Sequence, residues 1–364
     1  MGTEMVYAVG AMPGLLKKHG KRRVFILGAG FNAPVGMPLT ADLLKEVHAV
    51  AARKPWQRED GKAAPHGMAD WLVEVLNWYY PTAGIDHNAI ESGSALESFD
   101  LEEFLSFVAA TSAMQHKTQQ RWDEQGDKFT ACLKSWLGEA IEREQRKALK
   151  QLPGHYLKFA SALQDSVVLT FNWDTFMENL LDQLGTAYAF DLEPAIHSGA
   201  LPLIKLHGSV DWFSLRLQNG RKPRWLDLAP LGDSFDGIGR AKGDLLRYYE
   251  HMLTPWIVIP SFDKIFQLLN LGEVWQLPWL WLEDDLEVVI VGYSIRPDDY
   301  HSRAFIYPRL VRGSRSGALR VKVIDRADNE AGRDEVRSRF AGVRDCEFFF
   351  GGFSKEAVDF IERG

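Results

Sequence analysis

The feature that most constrains this chain is a set of short, unbroken apolar runs that each stop abruptly at glycine or polar residues. Val24-Phe25-Ile26-Leu27 runs into Gly28-Ala29-Gly30, and comparable runs follow at Ser166–Thr170, Leu203–Leu206, Trp256–Ile259, Glu287–Val291 and Leu319–Ile324. A strand that is apolar on both faces must be covered on both faces, which is the situation of a parallel sheet between two helical layers. Helical spacing after Asp174, around Val274–Leu282 and around Ala327–Phe340 separates several of these runs. The alternation predicts an α/β fold built on a doubly wound, Rossmann-like parallel sheet.

Between the first two runs the pattern changes. Ala41–Ala51 has helical spacing with Thr40 as its expected N-cap, and a polar loop with Pro55, Gly61 and Pro65 follows. Trp71, Leu72, Val75, Leu76 and Tyr79 then share one helical face, and Leu101, Phe104, Leu105 and Val108 share another. Leu133, Trp136, Leu137 and Ile141 continue the helical pattern. We read about 55–150 as a helical insertion inside a Rossmann-type domain spanning 21–340. An N-terminal segment, 1–20, precedes that domain, and a C-terminal segment, 341–364, packs on it. Periodicity leaves open whether the apolar faces at 71–80 and 101–108 belong to the core or to a subunit interface. The polar stretch Gln218–Lys242 reads as a loop insertion, and Trp275 and Trp279 as core or interface residues on a helix rather than a base-stacking platform.

Composition removes several classes of function. In 364 residues, 42 Lys plus Arg against 49 Asp plus Glu give a net charge of −7, so no global basic field exists to hold nucleic acid directly. Two cysteines, Cys132 and Cys346, exclude a disulfide framework and a four-thiolate zinc site within one chain. The apolar runs fall far short of the roughly 18–20 residues that cross a bilayer, so no membrane association is expected. The N-terminal apolar stretch precedes its basic cluster, the reverse of a secretory signal. These features predict a cytoplasmic protein.

Ligands of parallel sheets bind at the carboxyl ends of the strands, and those positions here are polar. Gly28-Ala29-Gly30-Phe31-Asn32 follows the first run, but the next glycine, Gly36, arrives six residues after Gly30. That spacing suits either a phosphate cradle or a tight structural turn. Asn172 and Asp174 place an amide and a carboxylate two residues apart at the second strand end, where they either face a crevice or cap the next helix. His207, with Gly208 beside it, either moves protons near neutral pH or is a hydrogen-bonded structural histidine. Gly292 and Ser294 bring a second close-approach glycine and a hydroxyl, and Asp325 a carboxylate suited to ribose hydroxyls or to a turn.

The order of these elements, Gly-Ala-Gly, Asn-x-Asp, His-Gly and Gly-x-Ser, resembles the sirtuin (silent-information-regulator) family over about Val24 to Asp325. Thr170-Phe-Asn-Trp-Asp-Thr175, Lys205-Leu-His-Gly-Ser-Val-Asp-Trp212, Val291-Gly-Tyr-Ser-Ile295 with Asp298-Asp299-Tyr300, and Phe99-Asp-Leu-Glu-Glu-Phe-Leu-Ser106 resemble the sirtuin-like NADase branch of bacterial antiphage defence. The resemblance implies NAD+ as substrate, with Asn172, Asp174 and His207 as the catalytic set. Gly28, Ala29 and Gly30, with Phe31, Asn32 and Thr40, would hold the diphosphate. Gly208 and Gly292 would give close approach, and Ser294 and Asp325 would meet the adenosine side.

Protein-deacylating sirtuins carry Gly-Ile-Pro-Asp-Phe-Arg where this chain reads Gly36-Met37-Pro38-Leu39-Thr40, and they hold a zinc module for which the cysteines are missing here. The resemblance therefore implies NAD+ hydrolysis to nicotinamide and ADP-ribose, with no metal expected. A non-catalytic NAD or ADP-ribose sensor is the alternative, and a deacylase a more distant one. It further implies control through a homo-oligomer or a separately encoded partner, such as an ATPase or a nucleic-acid-guided protein.

Overall fold

In a computed structural model, the structure describes residues 20, 22–57, 61–97, 99–113, 125–215, 226–231, 235, 237–259, 286–293, 295 and 299–363. The expected sheet is present. Strands β1 (Arg23–Leu27), β2 (Ser166–Thr170), β3 (Tyr188–Ala189), β4 (Leu201–Lys205), β8 (Leu286–Val291), β9 (Leu319–Ile324) and β10 (Glu347–Phe349) form one seven-stranded sheet in the order β10-β9-β8-β1-β2-β4-β3. Every pairing in it is parallel. The chain winds outward from β1 through β2 and β4 on one side, then returns to β8 on the other, so the strand order reverses at β1. A parallel doubly wound sheet opens its ligand crevice at such a reversal, beyond the carboxyl ends.

The sheet forms because its central strands cannot tolerate water on either face. β2 and β4 are buried at every position, as is β8, and Val24, Phe25, Ile26 and Leu27 of β1 are at most 1% exposed. Each fully buried side chain of this size contributes about 1.5–3 kcal/mol of transfer free energy. The charged residues among them are paired: Glu287 takes Arg23 at 2.9 Å and Lys322 at 3.0 Å across neighbouring strands.

Helices Met68–Tyr79, His87–Ser92, Leu101–Ala113 and Gln125–Leu149 occupy the stretch between β1 and β2. Leu72, Val75, Leu76, Phe104, Leu105 and Val108 are buried within this chain, which assigns those positions to its own core. Trp71 fits edge-on between Phe129 and Trp136, with ring centroids at 5.1 and 6.5 Å. The remaining segment of the chain adds β10 and helix Lys355–Glu362, whose Ser354 caps its N-terminus by accepting from Ala357 N–H.

Three expectations need correction. Trp256–Ile259 is not a sheet strand; it makes a single bridge, Gly208 to Ile257, and its backbone bonds join it to His207 and Ser209 in the loop after β4 and to Trp212 beyond it. Its apolar residues are buried by lying along that loop, a situation that a run of four apolar residues cannot distinguish from a strand. The stretch 218–242 is not simply a loop. β6 (Leu228–Pro230) and β7 (Ile238–Ala241) join β5 (Trp212–Ser214) in an antiparallel sheet ordered β5-β7-β6, with strands too short to show periodicity. Thr40 is the first residue of helix Thr40–Ala51, and Leu39 occupies the N-cap. The helix expected around Val274–Leu282, with Trp275 and Trp279, lies outside the described residues.

The turns after β1 and β8 touch backbone to backbone. Gly30 N–H donates to Gly292 O at 3.0 Å, and Gly292 has φ +61°. A Cβ on Gly292 would lie 2.2 Å from both Gly30 C and Phe31 N. Positive φ and this collision act together, so Gly292→Ala should lower the unfolding free energy by more than about 2 kcal/mol. Urea denaturation checks this; unchanged stability would mean that the two turns do not need this contact.

Candidate active site

A cavity of about 720 Å³ opens at the carboxyl ends of β1, β2, β4, β8 and β9. Its wall takes Gly28, Ala29, Gly30 and Asn32 from the first turn, Asn172 and Asp174 from the second, His207 from the loop after β4, Gly292 from the fourth and Asp325 from the fifth. Five separate segments of the sequence thus meet in one crevice because parallel strands deliver all their outgoing turns to the same edge. Phe31 and Gly208 are absent from this wall, and Ser294 and the side chain of Thr40 lie outside what the structure describes.

Local structure explains the absences. Phe31 points into the core, 1% exposed, with ring centroids 4.5 Å from Phe353 and 5.4 Å from Tyr156. Gly208 has φ +75°, and a Cβ there would meet Trp256 O at 2.1 Å, so the space beside His207 is taken by protein backbone. The glycines of the first turn are likewise pressed against protein: a Cβ on Gly28 would meet Gly292 O at 2.5 Å. Most of that turn's donors are also committed, since Gly28 N–H goes to Val291 O, Phe31 N–H to Gly28 O and Asn32 N–H to Ala29 O. The close approach that the glycines allow is first of all between two turns of the protein.

The polar side chains of the crevice form a fixed network. Asn32 Nδ2 donates to both carboxylate oxygens of Asp174 at 2.9 Å, and Asp174 also accepts from Phe176 N–H at 3.0 Å. The N-cap position of the following helix, Phe176–Gln183, is Thr175, and Asp174 beside it accepts that helix's first N–H while also lining the cavity. Burial pushes its carboxyl above the ordinary value, and the neighbouring Lys205 charge works against that rise. Asn32 Oδ1 is buried with no hydrogen-bond partner among the described residues, which leaves a strong acceptor at the cavity wall. Asn172 Nδ2 donates to Gly28 O at 3.0 Å, tying the turns after β1 and β2 together.

His207 is 8% exposed, its backbone carbonyl accepts from Val258 N–H at 2.9 Å, and its ring stands edge-on to Phe171 at 5.0 Å. Phe171 in turn stacks on Tyr293 at 4.1 Å, and Tyr293 donates its hydroxyl to Asp299 at 2.8 Å. This aromatic wall was not singled out from the sequence, because an aromatic at a strand end carries no signal of its own. Glu102 and Ile141 were missed for a different reason: they come from the helical stretch, and only the fold brings them to the strand ends. Across the described wall, Glu102, Asp174, Asp299, Asp325 and Asp328 face one guanidinium, Arg326. Positive charge in a ligand is favoured over this surface, since the Arg326 guanidinium is itself paired with Asp328 at 3.2 Å.

Beneath the crevice lies an ion pair with no contact with water. Lys205 Nζ reaches Glu178 at 2.8 Å, with side chains 0% and 1% exposed, and also donates to the backbone carbonyl of Asp174. From the other side Gln145 clasps Thr175, donating to its hydroxyl and accepting from its N–H, each at 2.7 Å. The Asn-x-Asp turn is thus held by a strand and by helix Gln125–Leu149.

No protein-family model matches the chain, and no curated protein matches it. Among solved structures it is similar to one described as "Structure of Sir2Tm bound to a propionylated peptide", with 12% identity over 95% of each chain and a TM-score of 0.29, a likeness too slight to bear on activity. Among the described residues no helix is long and apolar enough to cross a membrane.

Removing one partner of a buried pair strands the other. Lys205→Met should cost about 3–5 kcal/mol in urea denaturation, and Lys205→Met combined with Glu178→Leu should recover much of it. Burial already pushes Glu178 above its ordinary value. Without Lys205 the folded form favours the protonated acid, so stability is retained at low pH and lost as pH rises. The deficit should therefore shrink between about pH 8 and about pH 5; a pH-independent deficit would count against this origin.

Proposed function

We propose that this chain is an NAD+ glycohydrolase that cleaves the nicotinamide–ribose bond with water as acceptor. The observation that carries the reading is the meeting of the Gly28–Gly30 turn, Asn172, Asp174 and His207 in one cavity at the switch point of a doubly wound sheet. Its volume lies within the range of small-molecule and cofactor sites.

The chemistry asks for little acid catalysis, because nicotinamide leaves from an already cationic ring. What has to be stabilised is oxocarbenium character at the anomeric carbon, in a site that admits one water. The carboxylate-rich wall supplies a potential of the right sign. In this reading His207 polarises a ribose hydroxyl or takes the proton of the attacking water, and Asn172 orients that water or the ribose. Asp174 and Asn32 together offer a carboxylate and an amide oxygen, and the nicotinamide carboxamide presents donors suited to both. The diphosphate lies along the Gly28–Gly30 turn, and Asp325 takes adenosine-side hydroxyls with Arg326 close by.

The same reading takes 21–340 as the catalytic domain with its helical insertion, and places the enzyme in antiphage defence as an effector that depletes NAD+. Unrestrained turnover would be toxic, so it includes control by self-association or by a separately encoded partner. The support for these finer assignments is the sequence resemblance.

Purified protein incubated with NAD+ should release nicotinamide and ADP-ribose in equal amounts, and His207→Ala should lower the rate by about 10²–10⁴-fold while the melting temperature stays close to that of the parent. Undiminished turnover in the variant would remove His207 from the mechanism. Adding an acylated peptide and finding O-acyl-ADP-ribose would replace hydrolysis by deacylation.

A further inference from the structure

Three of the chain's ten histidines converge away from the cavity, in the helical region. His66 lies in the turn before helix Met68–Tyr79, Asp70 in the first turn of that helix, and His87 at the start of helix His87–Ser92. One ligand atom from each of these three lies within 4.8 Å of the others. His87 Nε2 is 2.9 Å from Asp70 Oδ1, and the His66 and His87 rings stack at 4.0 Å. On its other nitrogen, His87 Nδ1 is 2.8 Å from Nε2 of His48, which belongs to helix Thr40–Ala51.

We propose that His66, Asp70 and His87 form a binding site for a divalent transition-metal ion of the zinc class. Two imidazole nitrogens and one carboxylate oxygen suit zinc and its neighbours, whereas calcium and magnesium take oxygen ligands. Metal–ligand bonds of about 2.0–2.2 Å put tetrahedral ligand atoms roughly 3.3–3.5 Å apart. His87 and Asp70, at 2.9 Å, have to open by about half an ångström, and the larger adjustment falls on His66, which is exposed. Its exposure also leaves a side for water as fourth ligand.

The surroundings match what a metal-bound imidazole requires. A ligating histidine almost always donates its second ring N–H to an acceptor that fixes its tautomer. Here a metal on His87 Nε2 leaves Nδ1–H to donate to His48 Nε2. That contact, at 2.8 Å, fixes the ring orientation of His87.

The ligands are separated by four and then seventeen residues, without cysteine, a spacing that carries no recognisable metal motif. The ion would join helices Met68–Tyr79 and His87–Ser92, and through the His87–His48 hydrogen bond would reach helix Thr40–Ala51, which begins beside Leu39 and Leu43 of the cavity wall. Its role is accordingly to brace this helical layer.

The test uses the full chain, free of any affinity tag, stripped with a chelator and titrated with zinc against a chromogenic competitor. One ion per chain should bind with a Kd of about 1 μM or tighter, cobalt should give the visible absorption of a four-coordinate site, and zinc should raise the melting temperature. His66→Ala should weaken binding at least about tenfold without changing the metal-free melting temperature, and His87→Ala should abolish binding. Substoichiometric binding by the parent would overturn the proposal and leave Asp70, His87 and His48 as a hydrogen-bonded chain. Binding unaffected by His66→Ala would equally overturn it.

Discussion

The contact between the turns after β1 and β8 is the constraint on which the crevice depends. Gly30 N–H bonds to Gly292 O, and on either side there is room for hydrogen but not for carbon. A doubly wound sheet brings these turns side by side at the reversal of strand order, and their separation sets how deep the opening is. Larger residues would push the turns apart and shift Asn172, which is fastened to Gly28 O. The glycines thus act on ligand chemistry through the shape of the protein itself. A nest of N–H groups in the first turn contributes less than the motif suggests, because its donors are largely spent on neighbouring carbonyls.

Electrostatics is organised in two layers. The buried Lys205–Glu178 pair carries no net charge, and its lysine also holds the backbone of Asp174, so the turn is fixed without spending the carboxylate on a salt bridge. Above it, Asp174 is gripped by the Asn32 amide and faces the cavity with its remaining acceptor capacity. The cost of placing a carboxylate there is visible in its raised pKa. Such an arrangement stabilises little by itself, since burying charge is expensive even when paired. What it provides is a fixed acidic surface, and a fixed surface stabilises developing positive charge without reorganising during the reaction.

Much of the sheet could be read from the sequence, since β2 and β9 have the bounds expected and β1 and β8 differ by one residue. Those strands are buried on both faces, so each residue reports the environment. The errors share a cause. Trp256–Ile259 is buried without pairing in the sheet, and β5, β6 and β7 pair while remaining too short to show a period. For the site, residues that follow central strands were legible because topology alone carries them to the edge: Asn32, Asn172, Asp174, His207 and Asp325 all reach the cavity wall. Phe31 and Gly208 follow strands as well, yet one turns inward and the other is covered by Trp256, and alternation along a turn has no signature comparable to that of a strand. Phe171 and Tyr293 also follow central strands but carry no signal as aromatics, whereas Glu102 was illegible as a lining residue because its position depends on packing between distant segments.

The helical region between β1 and β2 is part of the site as much as a layer upon it. It contributes Glu102 and Ile141 to the wall, and its Gln145 clasps Thr175 directly behind Asp174. Any displacement of helix Gln125–Leu149 must therefore pull on the Asn-x-Asp turn, because the amide holds both the side chain and the backbone of Thr175. Helix Thr40–Ala51 packs on the same region and begins at the cavity, with His48 near its other end. A partner or a second copy docking on these helices would have two mechanical routes to the crevice, one through Gln145 and one through Leu39 and Leu43. Such a surface would act on the crevice by biasing how this helical layer sits against the sheet.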